Sequence, residues 1–252
     1  MKSVDLIDNV SVAQSDITSQ DLRAPSCDHC IARLTSMCSV LEEHEIRKLS
    51  EISSHLTKRP KQIIYSEGDS ADYLYNIREG CVRISKMLAD GRRQIIGFLF
   101  PGDFFGLDDQ NGYSYSAEAI TEIDLCRMPR KKILEKFVQI PKLGHKVLDI
   151  TRSELQNTQD QMLLLGRKKA KEKLCSFVLA MAKKTSQIDN IPQSSVFLPM
   201  SRSDIADYLG LTIETVSRQF TILSKDGIIS FDGNPNVTIL NAKQMTLIAA
   251  GG

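Results

Sequence analysis

The period of the apolar positions changes several times along this chain, and the changes divide it. Residues 1–24 are polar with no sustained apolar repeat, which predicts a flexible tail. In residues 41–55, Leu41, His44-Glu45, Leu49 and Ile52 fall at helical intervals and predict a short helix. Between residues 61 and 127, short runs rich in Ile, Val, Tyr and Phe are separated by Glu67-Gly68-Asp69, Glu79-Gly80, Asp90-Gly91 and Pro101-Gly102-Asp103. Turn signals every eleven or twelve residues, with strands between them, predict an antiparallel roll or barrel. A helical segment follows at 130–137, and Pro141 opens a longer helical run to about residue 167.

That long run carries a heptad pattern. Leu148, Leu155 and Met162 form one row, and Thr151, Thr158 and Leu165 the row three residues on, which are the a and d positions of a dimerisation seam. Two threonines weaken it, and the alternative is an ordinary amphipathic helix packed on the roll. Residues 169–184 predict another helix with Leu174, Phe177, Val178 and Met181 inward, followed by a loop containing Pro192 and Pro199.

Ser201-Arg202-Ser203-Asp204 is a capping box. The helix it starts buries Ile205, Ala206 and Leu209, and Gly210-Leu211 makes a tight turn. Thr212 caps a second helix with Val216, Phe220 and Leu223 inward, so Thr212, Ile213, Glu214, Ser217 and Arg218 occupy its exposed N-terminal face. Two short helices joined by a glycine turn predict a helix-turn-helix whose second helix enters the DNA major groove. Arg218 can donate twice to guanine and Glu214 can accept from cytosine. Asp226-Gly227-Ile228-Ile229 and Val237-Thr238-Ile239-Leu240 flank Asp232-Gly233-Asn234-Pro235 and predict a β-hairpin wing. The bland alternative is a helical hairpin without DNA, with Glu214 and Arg218 as an exposed ion pair.

Composition adds a bias. The net charge is only +1, yet residues 166–225 hold ten Lys or Arg against five Asp or Glu, a charge that attracts phosphate backbones. No apolar stretch is long enough for a membrane span, and the N-terminus has no signal-peptide pattern, so a cytoplasmic protein is expected. In that reducing compartment the six cysteines point to metal binding or redox sensing rather than disulfides. Cys27, Cys30 and Cys38 form C-x2-C-x7-C, a spacing that lets thiolates converge on an iron–sulfur centre. A fourth thiol could be Cys81 or Cys126, and strand alternation does not choose between them. Cys175 beside a buried helix face is expected to be structural, and His29, His44, His55 and His145 to be scattered surface residues.

The run 201–227, with Asp204-Ile205-Ala206, Leu209-Gly210-Leu211-Thr212 and Glu214-Thr215-Val216-Ser217-Arg218, resembles the cyclic-AMP-receptor and FNR superfamily, and the likeness covers about residues 25–240. It implies an α+β fold: a cyclic-nucleotide-binding-type β-roll with the cysteine loop (25–140), a long dimerisation helix (141–167) and a C-terminal winged helix-turn-helix (168–241), between tails 1–24 and 242–252. It also implies a non-enzymatic homodimer on a TTGAT-type inverted repeat of double-stranded DNA, read by Glu214, Ser217 and Arg218, with RNA polymerase as a further partner.

The cysteines are similar to the FNR branch with the longer second spacing. That resemblance selects Cys126, in Leu125-Cys126-x-Met128-Pro129, as fourth ligand of a 4Fe–4S cluster, and leaves Cys81 structural. It implies control by oxygen, with nitric oxide as another signal. A cyclic nucleotide is not expected. No Arg or Lys lies between Arg93 and Arg127, and Phe105-Gly106-Leu107-Asp108 and Ser114-Tyr115-Ser116-Ala117 stand where the phosphate site would be, beside acidic Asp108 and Asp109. Two rivals share the fold: a FixK-type regulator without a cluster, and one with the four thiols on zinc. An electron carrier or Fe–S enzyme subunit is disfavoured, since there is no second cysteine group, phosphate loop or nucleophile motif.

Overall fold

The computed structural model describes residues 27, 30–108, 112–189, 194–231 and 235–252, with no side-chain description for 187–189. The expected N-terminal tail, His29, Asp109, Pro192 and the turn of the wing lie outside the described residues. Eight strands build the roll: β1 (Ser54–Lys58), β2 (Ile63–Tyr65), β3 (Tyr73–Glu79), β4 (Val82–Met87), β5 (Arg93–Leu99), β6 (Phe104–Phe105), β7 (Ser116–Ala119) and β8 (Ile123–Pro129). They form two four-stranded sheets, in the orders β1-β8-β3-β6 and β2-β7-β4-β5, and every pairing is antiparallel.

Tyr65, Tyr75, Ile77, Val82, Leu99, Phe105, Ala117 and Leu125 fill the space between the sheets. Gly80 shows why the β3–β4 turn takes glycine. Its φ is +87°, and a Cβ there would lie only 2.2 Å from the backbone oxygen of Glu122.

The expected helix over 41–55 is shorter. α1 (Glu43–Ser50) ends where Ser53 bonds back to the Leu49 carbonyl, and Ser54 then starts a strand that pairs along β8. The helical spacing through Ile52 runs straight into an alternating segment, so spacing alone overran the boundary. His55 consequently sits in β1, half-buried against Asp124, which corrects its reading as a surface residue.

α2 (Arg130–Gln139) and α3 (Pro141–Arg167) follow as expected, with Pro141 in the first turn of α3. Leu143 and Val147 of α3 pack with Met37, Leu41, Ile46, Leu49 and Ile133 beneath the cysteine segment. Leu164, at the other end of α3, belongs to the core of the C-terminal domain. Residues 151–160 between these anchors are exposed throughout.

The C-terminal domain comprises α4 (Ala170–Asp189), β9 (Ser195–Phe197), α5 (Arg202–Leu209), α6 (Ile213–Lys225), β10 (Ile229–Phe231), β11 (Asn236–Ile239) and α7 (Ala242–Ala249). The wing pair β10–β11 is present, with β9 as a third strand that the expected loop concealed. Residues 242–252, expected to be a tail, begin instead with α7. Asn241 caps it by accepting from the Gln244 N–H, and Met245 and Ala249, one turn apart, are buried.

The two domains share a core. Cys81, Ile95, Phe98 and Phe100 of the roll pack with Leu174, Phe177 and Leu209, and partly buried Tyr208 sits against them. Arginines close the seam: Arg83 donates to Asp204 (2.6 Å) and Glu118 (2.7 Å), while Arg93 donates to Asp204 (2.9 Å) and Asp207 (2.7 Å). The Asp204 side chain is only 6% exposed, so removing it takes one of two carboxylate partners from each of two poorly solvated guanidinium groups. Asp204→Ala should cost about 2–4 kcal/mol in denaturant unfolding, through the lost charged hydrogen bonds and the lost helix cap. A loss under about 1 kcal/mol would rank the network with ordinary surface pairs.

Candidate functional site

The helix-turn-helix forms as its caps dictate. Ser201 Oγ accepts from the Asp204 N–H, the Asp204 carboxylate accepts from the Ser201 N–H, and the turn residue Gly210 has φ +60°. Thr212 accepts from the Thr215 N–H to start α6, and Val216, Phe220 and Leu223 point inward. Thr212, Ile213, Glu214, Ser217 and Arg218 are all exposed on the opposite face. The Glu214 carboxyl is held below its usual range by its own backbone N–H and the Thr212 hydroxyl, so it is anionic at neutral pH. Among the described residues no ion pair joins it to Arg218. Unforeseen was Arg202, whose guanidinium lies 3.4 Å from the Phe220 ring centroid and 5.4 Å from that of Phe231, tying α5 to the second helix and the wing.

The second candidate site lies at the far end of the roll. Cys27, Cys30, Cys38 and Cys126 line one cavity of about 30 Å³, together with Arg33, Ile46, Leu49, Ser53, Asn76 and Arg78. Cys81 lies in the interdomain core and Cys175 in α4, both buried. No disulfide joins any of the six. Two 3-10 turns, Ile31–Leu34 and Met37–Val40, fold the C-x2-C-x7-C segment over α1, and the buried Met37 anchors it. Cys126 comes from β8, where Ile123 and Leu125 face the roll interior and Cys126 faces out.

Burial first, and neighbouring cysteines second, raise the Cys38 thiol to about 12 and the Cys126 thiol to about 11. Ser36 beside Cys38 and Ser53 beside Cys126 pull the other way. Such a set is deprotonated together only around a positive centre. Four thiolates on one zinc stand within about 4 Å of each other. Among the described residues, no three His, Cys, Asp or Glu side chains are placed to hold a single metal ion. The all-sulfur donor set would suit an iron–sulfur cluster, which Cys27, Cys30, Cys38 and Cys126 would hold.

Asn76 and Arg78 also lie in this wall and were not foreseen. Strand alternation held the signal: Leu74, Asn76 and Arg78 share the face of β3 opposite to Tyr75 and Ile77. Along α3, Leu148 (48% exposed), Leu155 (61%) and Met162 (70%) form an uncovered apolar row. The Thr151 and Thr158 hydroxyls bond back to the Val147 and Glu154 carbonyls. Leu165 leaves the row and packs, partly buried, on the core beside Gly210.

Residues 56–139 match the family described as cyclic nucleotide-binding domain, and residues 172–248 the Crp-like helix-turn-helix domain. The chain is 39% identical over 224 residues to the transcriptional activatory protein AadR of Rhodopseudomonas palustris, covering 88% of this chain and 92% of that one. The chain belongs to the Crp/Fnr family. Other Crp/Fnr relatives are the nitrogen fixation regulation protein FixK of Bradyrhizobium diazoefficiens (36% identical; 89% and 94% covered) and the transcriptional activator FnrL of Cereibacter sphaeroides (33%; 84% and 87%). The solved structure of FixK2 from Bradyrhizobium japonicum superimposes with a TM-score of 0.73 at 36% identity, covering 78% of this chain and 97% of that one. These relatives are transcription regulators, not enzymes, and the chain is a Crp/Fnr-type regulator with a DNA-binding helix-turn-helix. Among the described residues no helix is long and apolar enough to cross a membrane.

The raised thiols give a direct check. In metal-free protein at pH 8, Cys38 and Cys126 should react with iodoacetamide more than about a hundredfold slower than a free peptide thiol, as read by mass spectrometry. Labelling at the free rate would mean that the cavity wall opens in solution.

Proposed function

We propose that this Crp/Fnr regulator binds inverted-repeat DNA as a homodimer and that a 4Fe–4S cluster on Cys27, Cys30, Cys38 and Cys126 makes the binding oxygen-responsive. The observation that carries the proposal is the gathering of those four thiols, from two separate parts of the chain, around one cavity. When bound, the cluster supplies a redox centre that oxygen degrades. Cys27, Cys30 and Cys38 then fasten the N-terminal segment to β8 through Cys126. That segment packs on Leu143 and Val147, so the fastening steadies the first turns of α3. The row Leu148, Leu155 and Met162 pairs with its copy in a second chain, with Thr151 and Thr158 keeping the pairing weak. Two α6 helices are presented to half-sites one DNA turn apart, and contact with RNA polymerase completes the regulation.

Glu214, Ser217 and Arg218 are the base-reading residues of a TTGAT-type half-site. A cyclic nucleotide has no place in this scheme. Tyr65 stacks on Tyr113 at 3.6 Å and Tyr75 on Phe105 at 5.1 Å, so aromatic rings occupy the roll interior.

A second reading draws its support from the relatives: FixK recurs among them, and FixK2 among the solved structures. In that reading the chain binds the same DNA without a cluster, and the comparisons favour it while the cavity favours the first. Iron and acid-labile sulfide in protein purified without air separate the two. About four of each per chain are expected for the cluster, and neither, in protein that still binds the palindrome, would leave the cluster-free regulator.

Base reading is tested separately. Arg218→Lys loses the two-pronged donor and should reduce discrimination at one base pair by about 1–3 kcal/mol, measured on duplexes substituted at each position. Equal affinity losses on every duplex would make Arg218 a phosphate contact instead.

A further inference from the structure

We infer that Arg78 is the residue that sets the redox stability of the group held in the cysteine cavity, with Asn76 beside it as a second polar contact. The inference rests on the cluster reading above. β3 brings both side chains to the cavity wall, since positions 76 and 78 share one face of the strand. Arg78 is pinned from behind. Its Nη1 lies 2.9 Å from Asp124 Oδ2 and against the His55 ring, and His55 Nδ1 is itself 2.9 Å from Asp124 Oδ1. On its other side the guanidinium shares the cavity wall with Cys30, so one planar group stands between an anchored carboxylate and the thiols of the site. The Arg78 side chain is 18% exposed, which leaves its charge weakly screened. Asn76 is 3% exposed, and among the described residues its Oδ1 has no hydrogen-bond partner. A buried amide left unsatisfied in a cavity wall is expected where something else completes the cavity.

The charge has a definite sign of effect. In the first step of oxidation the group gives up one electron and dioxygen takes it as superoxide. The site thereby gains one unit of positive charge beside a fixed guanidinium, which opposes the step. Neutralising Arg78 should therefore lower the potential and hasten oxidation, while a lysine should preserve most of the effect.

The test uses the full-length chain, reconstituted without air with iron and sulfide, as wild type, Arg78→Gln and Arg78→Lys. Iron and sulfide content, reduction potential and the loss of visible absorbance in air-saturated buffer are measured for each. The expected result is unchanged iron content and about tenfold faster bleaching for Arg78→Gln, matching a potential lower by about 59 mV for a one-electron couple, with Arg78→Lys close to wild type. Fully loaded Arg78→Gln that bleaches at the wild-type rate, with the same potential, overturns the inference and leaves the cluster reading standing. Wild-type protein that takes up no iron overturns both.

Discussion

Asp204 holds the reading head to the rest of the molecule, and it does so because its two oxygens serve different masters. Oδ2 closes the capping box with Ser201 and so defines where α5 begins. Oδ1 accepts from Arg83 and Arg93, which belong to neighbouring strands of the roll. A single buried carboxylate thus fixes both the start of the helix-turn-helix and its orientation on the sensor domain. The carbonyl of Tyr208, near the end of the same helix, is held by Gln94 of the roll and Gln161 of α3. Three parts of the chain therefore converge on eight residues of α5.

The same economy appears in β3. Tyr75 and Ile77 help to close the roll, while Leu74, Asn76 and Arg78 face the helical side and the cysteines. A strand that is apolar on one face and partly polar on the other serves two environments without any loop between them. The cysteine cavity thus shares its β3 wall with the core of the roll.

Much of this was legible in the sequence where the signal was local. The capping box at Ser201, the left-handed Gly210, the Thr212 cap and the inward trio Val216, Phe220 and Leu223 are each set by neighbours within a turn, and the structure has them as expected. The glycine turns of the roll were equally plain. What was hidden depended on partners far along the chain or on very short elements. β9 has three residues, too few for alternation to register, and exists because β11 pairs with it. β1 follows a helical run without a break in polarity, and α7 was concealed by its position at the end of the chain. Choosing Cys126 over Cys81 needed the family resemblance, because both alternate correctly and only the third dimension separates a cavity wall from an interdomain core. Arg78 and His55 escaped for the same reason: their shared partner, Asp124, is 69 residues from His55 in sequence.

α3 is anchored at both ends and bare in the middle. Leu143 and Val147 sit in the core beneath the cysteines, and Leu164 sits in the core of the DNA-binding domain. Its 27 residues make a rod about 40 Å long. A tilt of about 10° at the cysteine end would sweep the opposite end through roughly 7 Å, given that length. That is about two base-pair steps of duplex DNA at about 3.4 Å each. At that length, a small angular change near the thiols would be enough to take a recognition helix out of register with its groove if the arginine bonds to Asp204 gave way.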